Sequence, residues 1–117
     1  MQRLKRRQDF VAAAKAVSKG TPGFLLVAHD RADGAPPRVG FTCTKKLGNA
    51  VLRNRIRRRL KEVVRLTFDK LAEPSYDYIL IGRKAGETRP FEILQQDLIS
   101  AARHLHASAA PQPMEIK

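Results

Sequence analysis

The sequence predicts an α+β fold, a small central sheet of about four strands packed by helices in the order α-β-β-(β)-α-β-α. Three observations carry this. Residues 38–44 (RVGFTCT) alternate between larger apolar and small or polar side chains, the signature of a strand. From Asn49 the apolar period changes from two to 3.6, which marks a long amphipathic helix. Beyond that helix, Tyr78-Ile79-Leu80-Ile81 is an unbroken apolar run, as expected of a strand covered on both faces. Strand, helix and strand form a βαβ unit if the strands are parallel, and general statistics favour a right-handed crossover.

The elements follow in order. Asp9 is placed to cap a short first helix with the stripe Phe10, Ala13, Ala14 and Val17, spaced by three and four. Gly20, Pro22 and Gly23 end it. Residues 24–29 read as a compact strand, and residues 30–37 as a loop whose strongest hairpin signal is Asp33-Gly34. In the next strand Val39, Phe41 and Cys43 share one face, and Gly40, Thr42 and Thr44 the other. The long helix spans about residues 49–72, with Asn49 as its cap and Pro74 blocking continuation. Its stripe is Leu52, Ile56, Leu60, Val63, Val64, Phe68 and Leu71. A strand at residues 76–82 follows. Pro90 suits the first turn of a final helix, whose stripe is Phe91, Leu94, Leu98, Ala101, Ala102 and Leu105. One further short strand has no clear place in the pattern. Residues 1–106 form one domain, and residues 107–117, with two prolines and little to bury, are expected to be a disordered tail.

Composition narrows the function. A chain of 117 residues with 43% hydrophobic side chains suits one folded domain and excludes wholesale disorder. The only cysteine, Cys43, permits no internal disulfide and suits a reducing compartment. The cationic first residues are followed by no apolar run of signal-peptide type, and residues 24–28 are too few to cross a bilayer. A cytoplasmic protein without membrane contact is the expectation.

The charge is gathered rather than spread. Residues 45–65 hold nine of the 23 Lys and Arg against one acid, Glu62, and residues 1–8 add Arg3, Lys5, Arg6 and Arg7. These two segments account for the whole formal net charge of +12. Such gathering is the footprint of a face that meets nucleic acid. On the long helix, Arg53, Arg57 and Lys61 recur every four residues beside the apolar stripe, while Arg55, Arg58, Arg59 and Arg65 cover much of the rest. Like charges at this spacing repel by a few tenths of a kcal/mol per pair, whereas solvated faces normally mix both signs. Phosphate contacts offset that repulsion through counterion release, and arginine's planar fork suits phosphate and bases. The segment Lys45-Lys46-Leu47-Gly48-Asn49 enters the helix, where backbone N–H groups could meet an anion or the residues could serve capping alone.

No catalytic constellation stands out. Asp30, Asp33, Asp69, Asp77 and Asp97 are scattered; His104 and His106 lie two apart on a helix and face different ways. His29 closes a strand and is expected at the surface. Cys43 alternates with Val39 and Phe41, which favours burial over reactivity. By composition alone, an RNA-binding structural protein fits as well as a ribonucleoprotein subunit. A DNA regulator fits less well, because the basic helix lacks a helix-turn-helix partner.

The run VGFTCTKKLGNAVLRNRIRR at residues 39–58 closely resembles the signature of the bacterial ribonuclease P protein subunit. The resemblance extends upstream to Leu4-Lys5 and Asp9-Phe10 and downstream to Asp77-Tyr78-Ile79-Leu80-Ile81-Gly82-Arg83-Lys84. It implies a ribosomal protein S5 domain 2-like fold with a left-handed βαβ crossover, against the general rule. It also implies a role in a tRNA 5′-processing endoribonuclease, in which a catalytic RNA subunit with bound Mg2+ removes the 5′ leader of precursor tRNA. The protein would then be an assisting component, with no catalytic or metal-ligating side chains of its own and no obligate protein partner. Carried onto this sequence, the RNA-subunit-binding residues are Lys45, Lys46, Asn49, Arg53, Asn54, Arg55, Arg57, Arg58, Arg59 and Lys61. The leader-binding residues are Phe10, Lys15, Thr42 and Thr44, in a cleft between the first helix and the sheet. Phe10 either stacks on a leader base or staples its helix to the core. Two departures from the family pattern, Ala14 and Val27 where aromatic residues are common, reduce the stacking surface.

Overall fold

A computed structural model describes residues 2–4 and 17–109. Five strands, β1 (Gln2–Arg3), β2 (Val17–Gly20), β3 (Phe24–Asp30), β4 (Arg38–Thr42) and β5 (Tyr76–Gly82), form one sheet in the order β1-β4-β5-β3-β2. Two helices, α1 (Ala50–Thr67) and α2 (Phe91–Ala109), accompany it, with short 3-10 turns at Lys45–Leu47 and Lys84–Glu87. Strands β4 and β5 are parallel neighbours with Gly40 opposite Ile79, and α1 joins them. The expected βαβ unit is present. The rest of the expected first helix, residues 9–16, lies outside the described residues.

Alternation along the strands divides the sheet into two faces. Phe24, Leu26 and Ala28 of β3, Val39 of β4, and Tyr78 and Leu80 of β5 are buried beneath the helices. Ile56, Leu60, Val63 and Val64 of α1 meet them, together with Leu94, Leu98, Ala101, Ala102 and Leu105 of α2. On the other face Leu4, Val27 and Ile79 form a smaller buried cluster flanked by Leu25 and Ile81. Strand β5 is therefore covered on both sides, as its unbroken apolar run requires.

Tertiary structure corrects four expectations. Val17 belongs to strand β2, where it pairs with Ala28 and is 42% exposed, rather than to a helix stripe. Gly20, Pro22 and Gly23 accordingly make the β2–β3 turn, closed by the Thr21 amide donating to the Phe24 carbonyl at 2.8 Å. Four backbone positions of β2 cover the edge of β3, which settles the choice between helix and strand. Strands β1 and β2 supply the pairing that the sequence pattern leaves unplaced.

The Asp33-Gly34 hairpin does not form, because β5 lies between β3 and β4. The loop instead crosses the end of β5, a gap of two strand spacings or about 9.5 Å. It is pinned by the Asp77 carboxylate, which is 2% exposed and accepts from Arg31 Nη1 at 2.6 Å and from Arg38 Nε and Nη2 at 2.7 Å each. Arg31 also donates to the carbonyls of Ala35 and Pro36. A buried carboxylate is tolerated when it is paired and hydrogen-bonded in this way.

Strand β4 stops at Thr42, two residues short of the expected end, and the chain turns into the 3-10 segment at Lys45. Cys43 is buried where it leaves the strand, and a Cβ at Gly82 would sit 2.8 Å from its Sγ. Helix α1 ends at Thr67 rather than near residue 72. The amides of Leu71 and Ala72 both donate to the Phe68 carbonyl at 2.9 Å. That tight turn keeps Phe68 edge-on to Tyr78, with centroids 4.7 Å apart, and brings Leu71 against the same core. Helix α2 runs to Ala109.

Candidate nucleic-acid interface

The basic helix begins at a defined corner. Gly48 has φ +145, and a Cβ there would lie 2.8 Å from Leu52 Cδ2, so this turn needs glycine. The Asn49 Oδ1 accepts from the Leu52 amide at 2.9 Å, capping the helix. Arg53 Nε donates back to the Gly48 carbonyl at 3.2 Å. Thr44, Lys45 and Lys46 are exposed just before the corner. The corner thus uses Asn49 structurally and leaves two ammonium groups beside the helix start.

Along α1 the cations separate into two groups. Arg53, Arg57 and Lys61 lie half-buried on one flank, and Arg58 is exposed. Asn54 Oδ1 accepts from Arg57 Nη1 at 2.8 Å, which fixes that guanidinium on the helix surface. Val51, Asn54, Arg57, Arg58 and Lys61 line a shallow groove of about 380 Å³. Arg59 points the other way. Its guanidinium donates to the carbonyls of Gly86 at 2.6 Å, Glu87 at 3.1 Å and Arg89 at 2.7 Å. Arg55 pairs with Glu87 on the same side. Arg59 therefore closes the 3-10 turn at Lys84–Glu87 against α1, a task that periodicity could not distinguish from docking.

The other expected positions are dispersed. Thr42 is half-buried on the sheet face opposite the helices, in register with Ile81. Its neighbour Gly40 is in register with Ile79. Val27 sits on this face, 3% exposed in the cluster with Leu4. Phe10 and Lys15 lie outside the described residues.

Titratable groups are engaged in the fold. Arg89 Nε pairs with Asp97 at 2.6 Å and Arg65 Nε with Glu62 at 2.5 Å. Among the described residues no group of three or more His, Cys, Asp or Glu converges as a metal site would require. Burial pushes the Cys43 thiol above its ordinary value. His29 is half-buried rather than at the surface, and its Nδ1 has no hydrogen-bond partner among the described residues. His104 is exposed, whereas His106 Nε2 lies 2.8 Å from the Tyr78 hydroxyl. That hydroxyl also accepts from the Glu73 amide, and burial holds the His106 imidazole below its usual pKa. No helix among the described residues is long and apolar enough to cross a membrane.

Sequence reasoning counted Arg3 only as one of the N-terminal cations, whereas its guanidinium carbon lies 5.1 Å from the centroid of the Phe41 ring. Only the β1–β4 pairing brings the two together. Asp77 was counted only among the scattered acids and within the family-like run, although an acid inside an otherwise apolar strand is a usable signal of a buried pairing.

Comparisons agree with this architecture. A family model described as Ribonuclease P matches residues 1–106. A ribonuclease P protein component from Ruegeria pomeroyi is 47% identical over 107 residues, spanning 89% of this chain and 86% of that protein. One from Paramagnetospirillum magneticum is 42% identical over 124 residues, spanning 95% and 92%. The RNase P protein of Staphylococcus aureus superposes with a TM-score of 0.71 at 28% identity, covering 89% of this chain and 94% of that one. That of Thermotoga maritima reaches the same TM-score at 22% identity, covering 88% and 97%, a likeness of fold. With a family match over nearly the whole chain and relatives above 40% identity, the chain belongs to the ribonuclease P protein family.

Proposed function

We propose that the chain is the protein subunit of a cytoplasmic ribonuclease P ribonucleoprotein. It binds the catalytic RNA subunit and the 5′ leader of precursor tRNA, and assists endonucleolytic removal of that leader. The observation that carries this reading is the flank of α1, where Arg53, Arg57, Arg58 and Lys61 stand beside Asn54 with no acid among them. Each phosphate neutralised there contributes about 0.7–0.9 to the salt slope of binding. Lys45 and Lys46 extend the same basic surface around the helix start. Arg59 and Asn49 support the interface from within by fixing the adjacent turn and the helix cap.

Mg2+ belongs to the RNA subunit in this reading. When bound it stabilises the charge that develops at the scissile phosphate. The acids Asp77, Asp97, Glu62 and Glu87 are each held by an arginine, so the protein contributes binding and orientation rather than a carboxylate cluster. Leader contact falls to the sheet face carrying Thr42 and to Thr44 just beyond the strand, with Phe10 and Lys15 as further contacts that lie outside the described residues.

Processing of precursor tRNA in Mg2+ tests the assignment, using the protein alone, the cognate RNA alone and both together. The protein alone should cleave little, and the combination should cleave better than the RNA alone. An unchanged RNA-only rate on adding protein would sink the proposal. Phe10→Ala separates the leader role from the docking role: it should weaken precursor tRNA binding to the holoenzyme more than mature tRNA binding. Equal losses would remove the leader contact.

A further inference from the structure

Beside the docking flank of α1 lies a second groove, enclosing about 200 Å³ between the outer edge of the sheet and the C-terminal half of the helix. Phe41 of β4 and Val64 of α1 give it an apolar floor, and Arg3, Lys61, Arg65 and Asp69 stand around it. Arg3 lies over the Phe41 ring in cation–π geometry. Arg65 is paired with Glu62, whereas Lys61 and Asp69 have no ion-pair partner among the described residues.

We propose that this groove receives one unstacked base of the catalytic RNA. The base stacks on the Arg3–Phe41 pair, its backbone phosphate meets Lys61 and Arg65, and its N–H edge donates to Asp69. The inference rests on the function proposed above and deepens it. The volume is below the ~300–1,000 Å³ of drug-sized ligand sites and suits a single heterocycle. An aromatic ring with a guanidinium over it is the platform on which single-stranded bases stack. The carboxylate gives the groove its selectivity, since Asp69 repels a phosphate but accepts from base amino and imino groups. Lys61 lines both this groove and the shallow one holding Asn54, Arg57 and Arg58, so RNA following α1 reaches it without leaving the protein. The leader is the poorer occupant. Phe41 and Thr42 are consecutive in β4 and project to opposite faces of the sheet, which separates this groove from the face assigned to the leader.

The test uses the full chain reconstituted with its cognate RNA subunit, read by filter binding at several salt concentrations and by base-specific chemical probing. The wild-type protein should protect a base of the RNA subunit that becomes reactive again with both Arg3→Ala and Asp69→Lys. Arg3→Ala should weaken assembly by about tenfold. Asp69→Lys should also weaken it, although it adds a cation. Tighter assembly of Asp69→Lys would mean that the groove holds only phosphate and would overturn the proposal. Wild-type affinity and probing pattern in both variants would overturn it while leaving the functional reading intact. Protection mapping to the precursor leader instead would overturn the choice of occupant. A wild-type protein that fails to bind the RNA would overturn the groove proposal and the functional reading together.

Discussion

Helices α1 and α2 are built alike on their inner sides and differently on their outer ones. They have 18 and 19 residues, and each lays a stripe of buried aliphatic side chains on the same face of the sheet. Outside that stripe α1 carries seven Lys and Arg against Glu62, while α2 carries Arg103 against Glu92 and Asp97. Burial thus explains why both helices exist, and charge explains why only one is proposed as a docking surface. A second division lies within α1 itself. Arg59 spends its donors on three backbone carbonyls, whereas Arg58 is exposed and Arg57 spends one donor on Asn54 at the helix surface.

The sharpest way to break the comparison is through the stripes. Leu60→Ala in α1 and Leu98→Ala in α2 remove fully buried side chains, and each should cost about 2–5 kcal/mol in urea or thermal unfolding. A large inequality between them would mean that the two helices do not share one core in the way described. Arg59→Ala comes next. Removing a guanidinium that satisfies three carbonyls should cost about 1.5–3 kcal/mol of stability and leave the salt slope of RNA-subunit binding nearly unchanged. The converse is expected of Arg57→Ala combined with Arg58→Ala: stability within about 0.5 kcal/mol of wild type, and a salt slope lower by roughly 1.4–1.8. If Arg59→Ala and the double variant behaved alike, the division of the arginines would be wrong.

The smallest effect concerns the far end of α2. Burial lowers the His106 pKa below its ordinary 6.5, with Glu73 opposing. The folded state therefore binds fewer protons than the unfolded one, and the stabilisation is present above pH 6.5 and lost as pH falls through the folded pKa. Melting temperature should fall on acidification through that window, and His106→Gln should flatten the fall. An identical pH profile in wild type and variant would show that the Tyr78–His106 contact carries no linkage.

Much of this was legible in the residues because it depends on local periodicity. The α1 stripe, the Asn49 cap, strand β5 and the α2 stripe follow from spacings within one segment. What escaped depended on partners distant in sequence. Asp33-Gly34 has the chemistry of a hairpin turn, but β5 enters the sheet between the strands it would join. Val17 fits a helix stripe at its spacing, yet β3 offers it an edge to pair with. The arginines of α1 look equivalent at 3.6-residue spacing, and the Lys84–Glu87 turn alone distinguishes Arg59 from Arg58.

The sequence by itself determined which segments are apolar on one face, where α1 begins, and that the net positive charge is concentrated near it. These are properties of neighbours along the chain, fixed by backbone geometry and side-chain spacing. Tertiary structure decided the strand order, the early end of α1 at Thr67, the carboxylate shared by Arg31 and Arg38, and the pairing of Arg3 with Phe41. Each of those depends on which surfaces meet when the chain closes, and the energy of that meeting belongs to no single segment.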